Sequence, residues 1–125
     1  MIWDLELISL DAEELKGSGF WYLASPYSAW DSQDEAFEEA ARWAAFLVRA
    51  GVGIFCPITH THPIAKHGEL DPLSHEIWLS ADEPFIRASE GLIVAPMEGW
   101  QDSVGIKHEY DRFQDLGKPV YLLEA

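Results

Sequence analysis

The sequence has little cysteine and little positive charge. Its single cysteine, Cys56, excludes an intramolecular disulfide framework and fits a reducing compartment. Eight lysines and arginines stand against 22 aspartates and glutamates, so the formal net charge is −14. This charge repels the phosphates of a nucleic-acid polymer and an anionic membrane surface. We therefore expect neither as a partner, whereas a small nucleotide can still place one phosphate on the N–H groups of a helix N-terminus.

Long apolar runs and the common nucleotide motifs are also missing. No stretch approaches the roughly 18 apolar residues of a membrane span, and the opening "MIWDLELISLD" is acidic where a secretory signal would be basic. We therefore expect a cytoplasmic protein. The sequence contains no Gly-x-Gly-x-x-Gly, no Walker loop and no Gly-x-Ser-x-Gly elbow. Dinucleotide, nucleoside-triphosphatase and hydrolase-triad functions therefore lack their motifs.

The chain has the size and apolar content of one domain. It contains 125 residues, of which 48% are hydrophobic and 13% aromatic, enough to bury a core. No internal repeat, low-complexity tract or Pro/Gly/Ser-rich linker divides it. We expect a single domain over residues 1–125.

Short apolar runs alternate with helical patterns along the chain. The segment "DLELISL" predicts an edge strand or a short arm, and the runs predict strands over residues 20–24, 52–57, 91–96 and 119–123. This alternation favours an α/β fold with a mainly parallel sheet of four or five strands, covered on both faces. Such sheets bind ligands at the carboxyl ends of their strands, near a topological switch point.

Two helices have clear start and stop signals. One opens at the cap residues Asp31 and Ser32 and stops at Gly51, and the other runs from about Ser103 to Leu116 and stops at Gly117. Residues 58–90 are predicted to form a long loop followed by one or two short helices. Pro84 is expected to interrupt that region.

Glu109 has an unusual place in the last helix. At about 100° per residue, it lies about 60° from Ile106 on the shoulder of the apolar stripe, so we expect it to be half-buried. Gly105 precedes it by one turn and has no side chain to cover it. Glycine costs a helix interior roughly 1 kcal/mol relative to alanine. Either Gly105 opens a slot above a functional carboxylate, or it eases the entry into the helix and Glu109 is solvated.

Asp82 is the second candidate carboxylate, and it also allows two interpretations. It either caps a short helix that carries Pro84 in its first turn, or projects toward the slot above Glu109. Two carboxylates on opposite sides of a sugar can divide the work at a glycosidic bond. One attacks the anomeric carbon, and the other handles the proton of the leaving group.

Several aromatic residues lie where a ligand would bind. Tyr22 in the first long strand and Tyr27 in its exit loop can orient a carboxylate or a substrate oxygen, or can belong to the core. Trp30 and Trp100, in loops on the ligand side, can stack on a flat base or pack between subunits.

A group of histidines raises the question of a metal. His-x-His spacing, as in His60 and His62, can supply two ligands, and His67 and His75 follow. No cysteine pair or His-Glu-x-x-His helix accompanies them. We expect no metal site and interpret them as loop histidines or substrate contacts.

The segments "WYLASPYS", "SADEPFIRASEGLIVAP" and "DSVGIKHE" resemble the nucleoside 2-deoxyribosyltransferase-like superfamily, which includes the deoxynucleoside 5′-monophosphate N-glycosidases. The resemblance covers about residues 22–123. Its most specific part is the Ser-x-Gly-x-x-x-Glu pattern of Ser103, Gly105 and Glu109. The next most specific part is a pair of acidic residues eight positions apart, Asp82 and Glu90, of which the second stands at the start of a strand.

This resemblance implies a flavodoxin-like fold and a nucleoside or nucleoside 5′-monophosphate as substrate. Glu109 would be the nucleophile that attacks C1′, Asp82 would handle the proton of the departing base, and Tyr22 would orient the nucleophile. Members need no cofactor and are commonly dimers or larger, so we expect a homo-oligomer.

The substrate contacts follow from the same resemblance. Ser103 and the amides around Gly105 would hold the 5′ end of the sugar. Ser25 and Tyr27, in the "SPYS" loop, and Trp100 complete the expected binding residues.

We therefore predict an enzyme that cleaves or transfers at an N-glycosidic bond. Three alternatives remain open. The chain can be a nucleotide-binding or sensing module without catalysis, a phosphoribohydrolase that lacks the expected double-glycine phosphate loop, or a metal-dependent hydrolase that uses the histidines.

Overall fold

The computed structural model describes residues 3–17 and 19–124, which form an α/β sandwich. The strands are β1 Glu6–Ile8, β2 Trp21–Ala24, β3 Ile54–Phe55, β4 Leu92–Val94 and β5 Val120–Leu123. The helices are α1 Gln33–Arg49, α2 Pro57–Gly68, α3 His75–Ala88 and α4 Val104–Asp115, and single 3₁₀ turns lie at Glu13–Leu15 and Trp100–Asp102. Within the described residues, no helix combines the length and apolar character needed to cross a membrane.

The five strands form one parallel sheet in the order β1-β5-β4-β2-β3. The expected three-layer, flavodoxin-like or Rossmann-like fold is confirmed, and "DLELISL" supplies β1 as an edge strand. The chain passes from β2 to β3 on one side, whereas β4 pairs on the other side of β2. The carboxyl ends of β2 and β4 therefore flank a topological switch point, where open parallel sheets bind ligands.

Alternate residues of the central strands supply two separate cores. Leu23 and Ile93 face α1 and pack with Ala40 and Leu47. On the other face, Tyr22, Leu92 and Val94 pack with residues of α3 and α4: Ile86, Ile106 and Phe113. Both faces of the sheet are covered, which explains why β2 and β4 are continuous apolar runs rather than alternating ones.

The predicted limits of α1 and α4 are confirmed by their caps. Ser32 Oγ accepts a hydrogen bond from the Glu35 amide at 3.1 Å, and Ser103 Oγ accepts one from the Ile106 amide at 3.2 Å. Gly51 and Gly117 follow the helices with φ of 83° and 68°, a left-handed conformation that glycine adopts without a steric penalty.

The prediction of a long loop after β3 is wrong. Residues 57–68 form α2, with Pro57 in the first turn, where the missing N–H has no intrahelical partner to lose. Pro84 lies inside α3 and does not interrupt it. Asp82 and Ile86 are buried on either side of Pro84, so tertiary packing of this helix outweighs the local cost of a proline, about 3 kcal/mol.

Lys118 ties the end of α3 to the start of β5. Its Nζ donates to the carbonyl oxygens of Ile86, Arg87 and Ser89 at 3.1, 2.6 and 2.6 Å. These carbonyls belong to the last turn of α3 and the residue after it, where a helix leaves acceptors unpaired and favours a cation.

We expect Lys118→Met to lower the free energy of unfolding by about 1–3 kcal/mol, because the apolar replacement leaves three carbonyls without their charged donor. Urea denaturation measures the change. Lys107→Met is the matched control. Lys107 pairs with exposed Asp111 on the same helix and lies 5.5 Å from the centroid of the Tyr110 ring, so its loss should change stability by less than about 0.5 kcal/mol. Equal effects of the two substitutions would contradict this role for Lys118.

Candidate active site

A cleft opens at the carboxyl ends of the central strands. Four elements line it: the loop after β2, the first turns of α2, the loop before α3 with the first half of that helix, and the start of α4. Its volume is about 90 Å³, well below the roughly 300–1,000 Å³ of pockets that enclose a drug-sized ligand. A ligand of nucleoside size would therefore place only part of itself inside this cleft.

Glu109 of α4 and Asp82 of α3 both line the cleft, each 8% exposed. The structure therefore brings the two candidate carboxylates to one site. Glu109 is more deeply buried than the helical geometry alone suggested. The interpretation of Asp82 as a helix cap is wrong, because α3 begins after Ser74 and Asp82 lies in its interior.

Tyr22 lies beneath the carboxyl pair, in the strand next to the central strand of the sheet. It is fully buried in β2, and its ring packs against those of Phe113 and Phe55 at centroid distances of 5.5 and 5.7 Å. Its hydroxyl lies near enough to Glu109 and Asp82 to lower the pKa of each carboxyl. The side chain therefore belongs to the core through its ring and to the site through its hydroxyl.

Burial dominates the electrostatics of the pair. Loss of solvent raises the pKa of Glu109 to about 8, with the Tyr22 hydroxyl opposing the rise and the Asp82 charge adding to it. Loss of solvent also raises the pKa of Asp82 to about 6, again opposed by Tyr22. Burial and the two neighbouring carboxylates raise the pKa of Tyr22 well above its usual value, so the phenol keeps its proton.

The two carboxyl groups titrate as a pair. Because each charge disfavours the other, their apparent pKa values belong to the pair rather than to one residue. Between about pH 6 and pH 8 the pair holds one proton. One carboxylate and one carboxylic acid are then present together, which is the combination that glycosidic bond cleavage with retention uses.

Three buried polar atoms around the pair have no hydrogen-bond partner among the described residues: Tyr22 Oη, Ser25 Oγ and Asp82 Oδ1. Leaving such a group unpaired costs about 1–3 kcal/mol. Buried unpaired polar atoms are uncommon and call for an explanation. Ser25 and Asp82 line the cleft, so their unpaired atoms are explained if they bind polar groups of a ligand.

The start of α4 supplies the open space that the sequence predicted. A Cβ on Gly105 would meet no atom closer than Ser103 Oγ at 3.9 Å, and both residues line the cleft. Ser103 caps the helix through the Ile106 amide, which leaves the amides of the first turn at Val104 and Gly105 without intrahelical acceptors. This helix end can accept an anionic or polar group of a ligand.

A model of the family described as "Domain of unknown function (DUF1937)" matches residues 19–125, most of the chain. The chain belongs to this family. The match includes every strand and helix that contributes to the cleft. No curated protein matches the sequence. Membership of the DUF1937 family therefore places the chain among relatives without assigning it an activity.

The structure does not bring Trp100 into the cleft of this DUF1937 chain. Its ring packs on that of Trp3 at a centroid distance of 5.5 Å, beside the core between the sheet and α4, and its stacking on a base stays a prediction. Trp30 donates from Nε1 to the Glu98 carbonyl at 2.9 Å and links two loops. Trp78 of α3 lines the cleft instead, and the predicted interruption of this helix concealed its position.

The four histidines of the predicted group lie in separate places. His75 lines the cleft, His60 lies 5.5 and 6.0 Å from the rings of Phe55 and Phe85, and His67 is exposed. His62 is buried and bonded to Tyr27 and Asp34. Within residues 3–17 and 19–124, no three His, Cys, Asp or Glu side chains are grouped to hold a metal ion.

The raised pKa of Glu109 predicts how stability depends on pH. An acid whose pKa is higher in the folded state loses stability as pH rises from its unfolded value, 4.5, through its folded value, about 8. Glu109→Gln removes this loss. At about 1.4 kcal/mol per pH unit across that interval, the variant should gain up to about 5 kcal/mol over the wild type by pH 9.

Urea denaturation at pH 5, 7 and 9 measures this difference. The variant and the wild type should converge at pH 5, where the folded wild type carries a protonated Glu109. Glu38→Gln, which changes an exposed carboxylate on α1, should stay parallel to the wild type at all three values. A Glu109→Gln difference that is constant with pH would contradict the buried, protonated state.

Proposed function

We propose that the protein cleaves or transfers at the N-glycosidic bond of a nucleoside or nucleoside 5′-monophosphate. The observation that carries the proposal is a buried pair of carboxyl groups, Glu109 and Asp82, at the wall of one open cleft, where burial raises the pKa of both. Tyr22 stands beside both groups. The sequence resemblance to the nucleoside 2-deoxyribosyltransferase-like superfamily supports the same assignment of these residues.

In the first step, a Glu109 carboxylate oxygen attacks C1′ as the bond from C1′ to the base nitrogen breaks. Asp82 gives its proton to the departing base, and the sugar is held as an ester of Glu109. In the free protein the proton favours Glu109, whose pKa is higher. Positive charge that develops at C1′ favours the carboxylate form of Glu109, so the shared proton moves to Asp82 as the reaction proceeds.

In the second step, water or a second base attacks C1′, and the ester bond to Glu109 breaks. Asp82, now a carboxylate, takes the proton from the attacking group, so both residues return to their starting states. Tyr22 keeps its proton throughout and stabilises the negative charge on Glu109. No cofactor enters this sequence of bond changes.

The small cleft suits the sugar better than a whole nucleotide. The sugar would lie between Asp82 and Glu109, and the 5′ group would reach Ser103 and the first-turn amides of α4. The base would extend toward the loop after β2, where Ser25 and Tyr27 lie. A homo-oligomer and a cytoplasmic location stay predictions for this chain, as does its description as one domain.

The proposal predicts release of free base from at least one member of a panel of ribo- and deoxyribonucleosides and their 5′-monophosphates. Chromatography of the products measures it. Glu109→Gln should reduce the rate to background, because the amide cannot form the ester, while Glu38→Gln should keep the wild-type rate. An active Glu109→Gln protein would exclude Glu109 as nucleophile.

Failure to release any base would exclude the proposed activity. If nucleotides nevertheless bind to the wild type, the chain is a nucleotide-binding module, in agreement with the alternative drawn from the sequence. Binding is measured by calorimetry with the same panel.

The shared proton predicts a bell-shaped dependence of kcat/KM on pH. Below about pH 6 both carboxyls are protonated and the nucleophile is lost, and above about pH 8 both are ionised and the acid is lost. In Asp82→Asn the acid is already absent, so its residual rate should rise with pH and lack the alkaline decline. A wild-type profile that is flat from pH 5 to pH 9 would contradict this mechanism.

A further inference from the structure

A chain of hydrogen bonds runs from the cleft to the surface through a buried histidine. Tyr27, which lines the cleft, lies with its hydroxyl 2.7 Å from His62 Nδ1. His62 Nε2 lies 2.9 Å from Asp34 Oδ1. Tyr27 and His62 are buried, whereas the Asp34 side chain is 63% exposed. These hydrogen bonds connect three elements: the loop after β2, α2 and α1.

The partners of His62 determine which ring nitrogen carries the proton. An ionised carboxylate only accepts hydrogen bonds, so His62 Nε2 must donate to Asp34. In the neutral ring Nδ1 is then an acceptor, and the Tyr27 hydroxyl donates to it. Burial, with the Asp34 charge adding to it, raises the pKa of Tyr27, so this residue remains a phenol.

The ring of His62 is also held in place by packing. It stacks on Phe37 with a centroid distance of 4.5 Å and an interplanar angle of 20°. Lys66 Nζ lies 3.7 Å from the same Asp34 oxygen and keeps positive charge beside the carboxylate. Packing thus fixes the position of the ring, and the partners Asp34 and Tyr27 favour one arrangement, with the proton on Nε2.

We propose that Tyr27 is a specificity-determining residue of the cleft that presents a hydrogen-bond acceptor to the ligand, with His62 and Asp34 as its positioning residues. Because the Tyr27 proton is directed to His62, the lone pairs of its oxygen remain for the ligand. The ligand must then offer a donor at this point. The inference rests on the proposed function for its ligand class, in which the donor is a sugar hydroxyl or an amino group of the base.

The hydrogen bonds of Tyr27, His62 and Asp34 could instead only join α1 to α2, without affecting which ligand binds. Binding measurements on variants and analogues distinguish this structural role from the proposed one. Dissociation constants of the four deoxynucleoside 5′-monophosphates are measured by calorimetry in the Glu109→Gln background, which prevents turnover. Each parent is compared with its 2′,3′-dideoxy analogue, and dAMP and dCMP are also compared with dIMP and dUMP. The first comparison tests the sugar hydroxyl, and the second tests the amino group.

Tyr27→Phe should weaken binding of the parent about three- to tenfold, the effect of one lost hydrogen bond. It should leave the analogue without the matching donor unchanged, and this selectivity identifies which group Tyr27 contacts. His62→Gln should reproduce part of the selective loss. His67→Gln, an exposed position on the same helix, should have no effect.

Nitrogen NMR of the His62 ring supplies a readout that does not depend on the ligand. The proton should lie on Nε2, and Asp34→Ala should release this preference while His67 stays unchanged. A proton on Nδ1 of the neutral ring, or a Tyr27→Phe loss that is equal for every analogue, would overturn the inference while leaving the proposed function intact. If neither these nucleotides nor the other nucleosides and nucleotides of the activity panel bind, both proposals fail, because the ligand class is then wrong.

Discussion

Desolvation of the Glu109 carboxyl group is the interaction on which the rest of the site depends. An acid buried against the sheet stays protonated at a pH where an exposed glutamate is ionised. The neighbouring Asp82 then becomes the group that ionises first. The two carboxyl groups therefore differ in protonation state although they are chemically alike. Burial of these carboxyl groups lowers the free energy of unfolding at neutral pH, and the other interactions of the fold offset this loss.

The topology explains how such a pair can exist. The strand order reverses at β2, and the cleft opens at the carboxyl ends of the strands next to this point. α3 and α4 pack side by side on one face of the sheet, so Asp82 and Glu109 enter the cleft from adjacent helices. Tyr22 reaches the pair from below because every second residue of β2 faces these helices. The helix layer on this face thus supplies the two carboxyl groups, and the sheet supplies Tyr22.

Some positions were predictable because local chemistry determines them. Ser103, Gly105 and Glu109 lie on one helix with clear limits, so their spacing determines their relative directions. The strands were predictable as well, since buried parallel strands require continuous apolar runs. The loop predicted around His62 and the helix cap offered for Asp82 are wrong, because tertiary packing forms α2 in the first segment and carries α3 through Pro84 in the second. The contact of Trp100 with Trp3 was not predictable, because the two residues lie far apart in the sequence.

The sequence by itself determined the α/β architecture, the helix caps and the identity of the acidic candidate residues. These follow from apolar periodicity and from hydrogen bonds between residues a few positions apart. Only the tertiary structure decided that Glu109 and Asp82 share one cleft, that Tyr22 lies between core and site, and that Tyr27 bonds to His62 and Asp34. Contacts between distant segments depend on how the helices pack on the sheet, and pKa values depend on the burial that this packing creates.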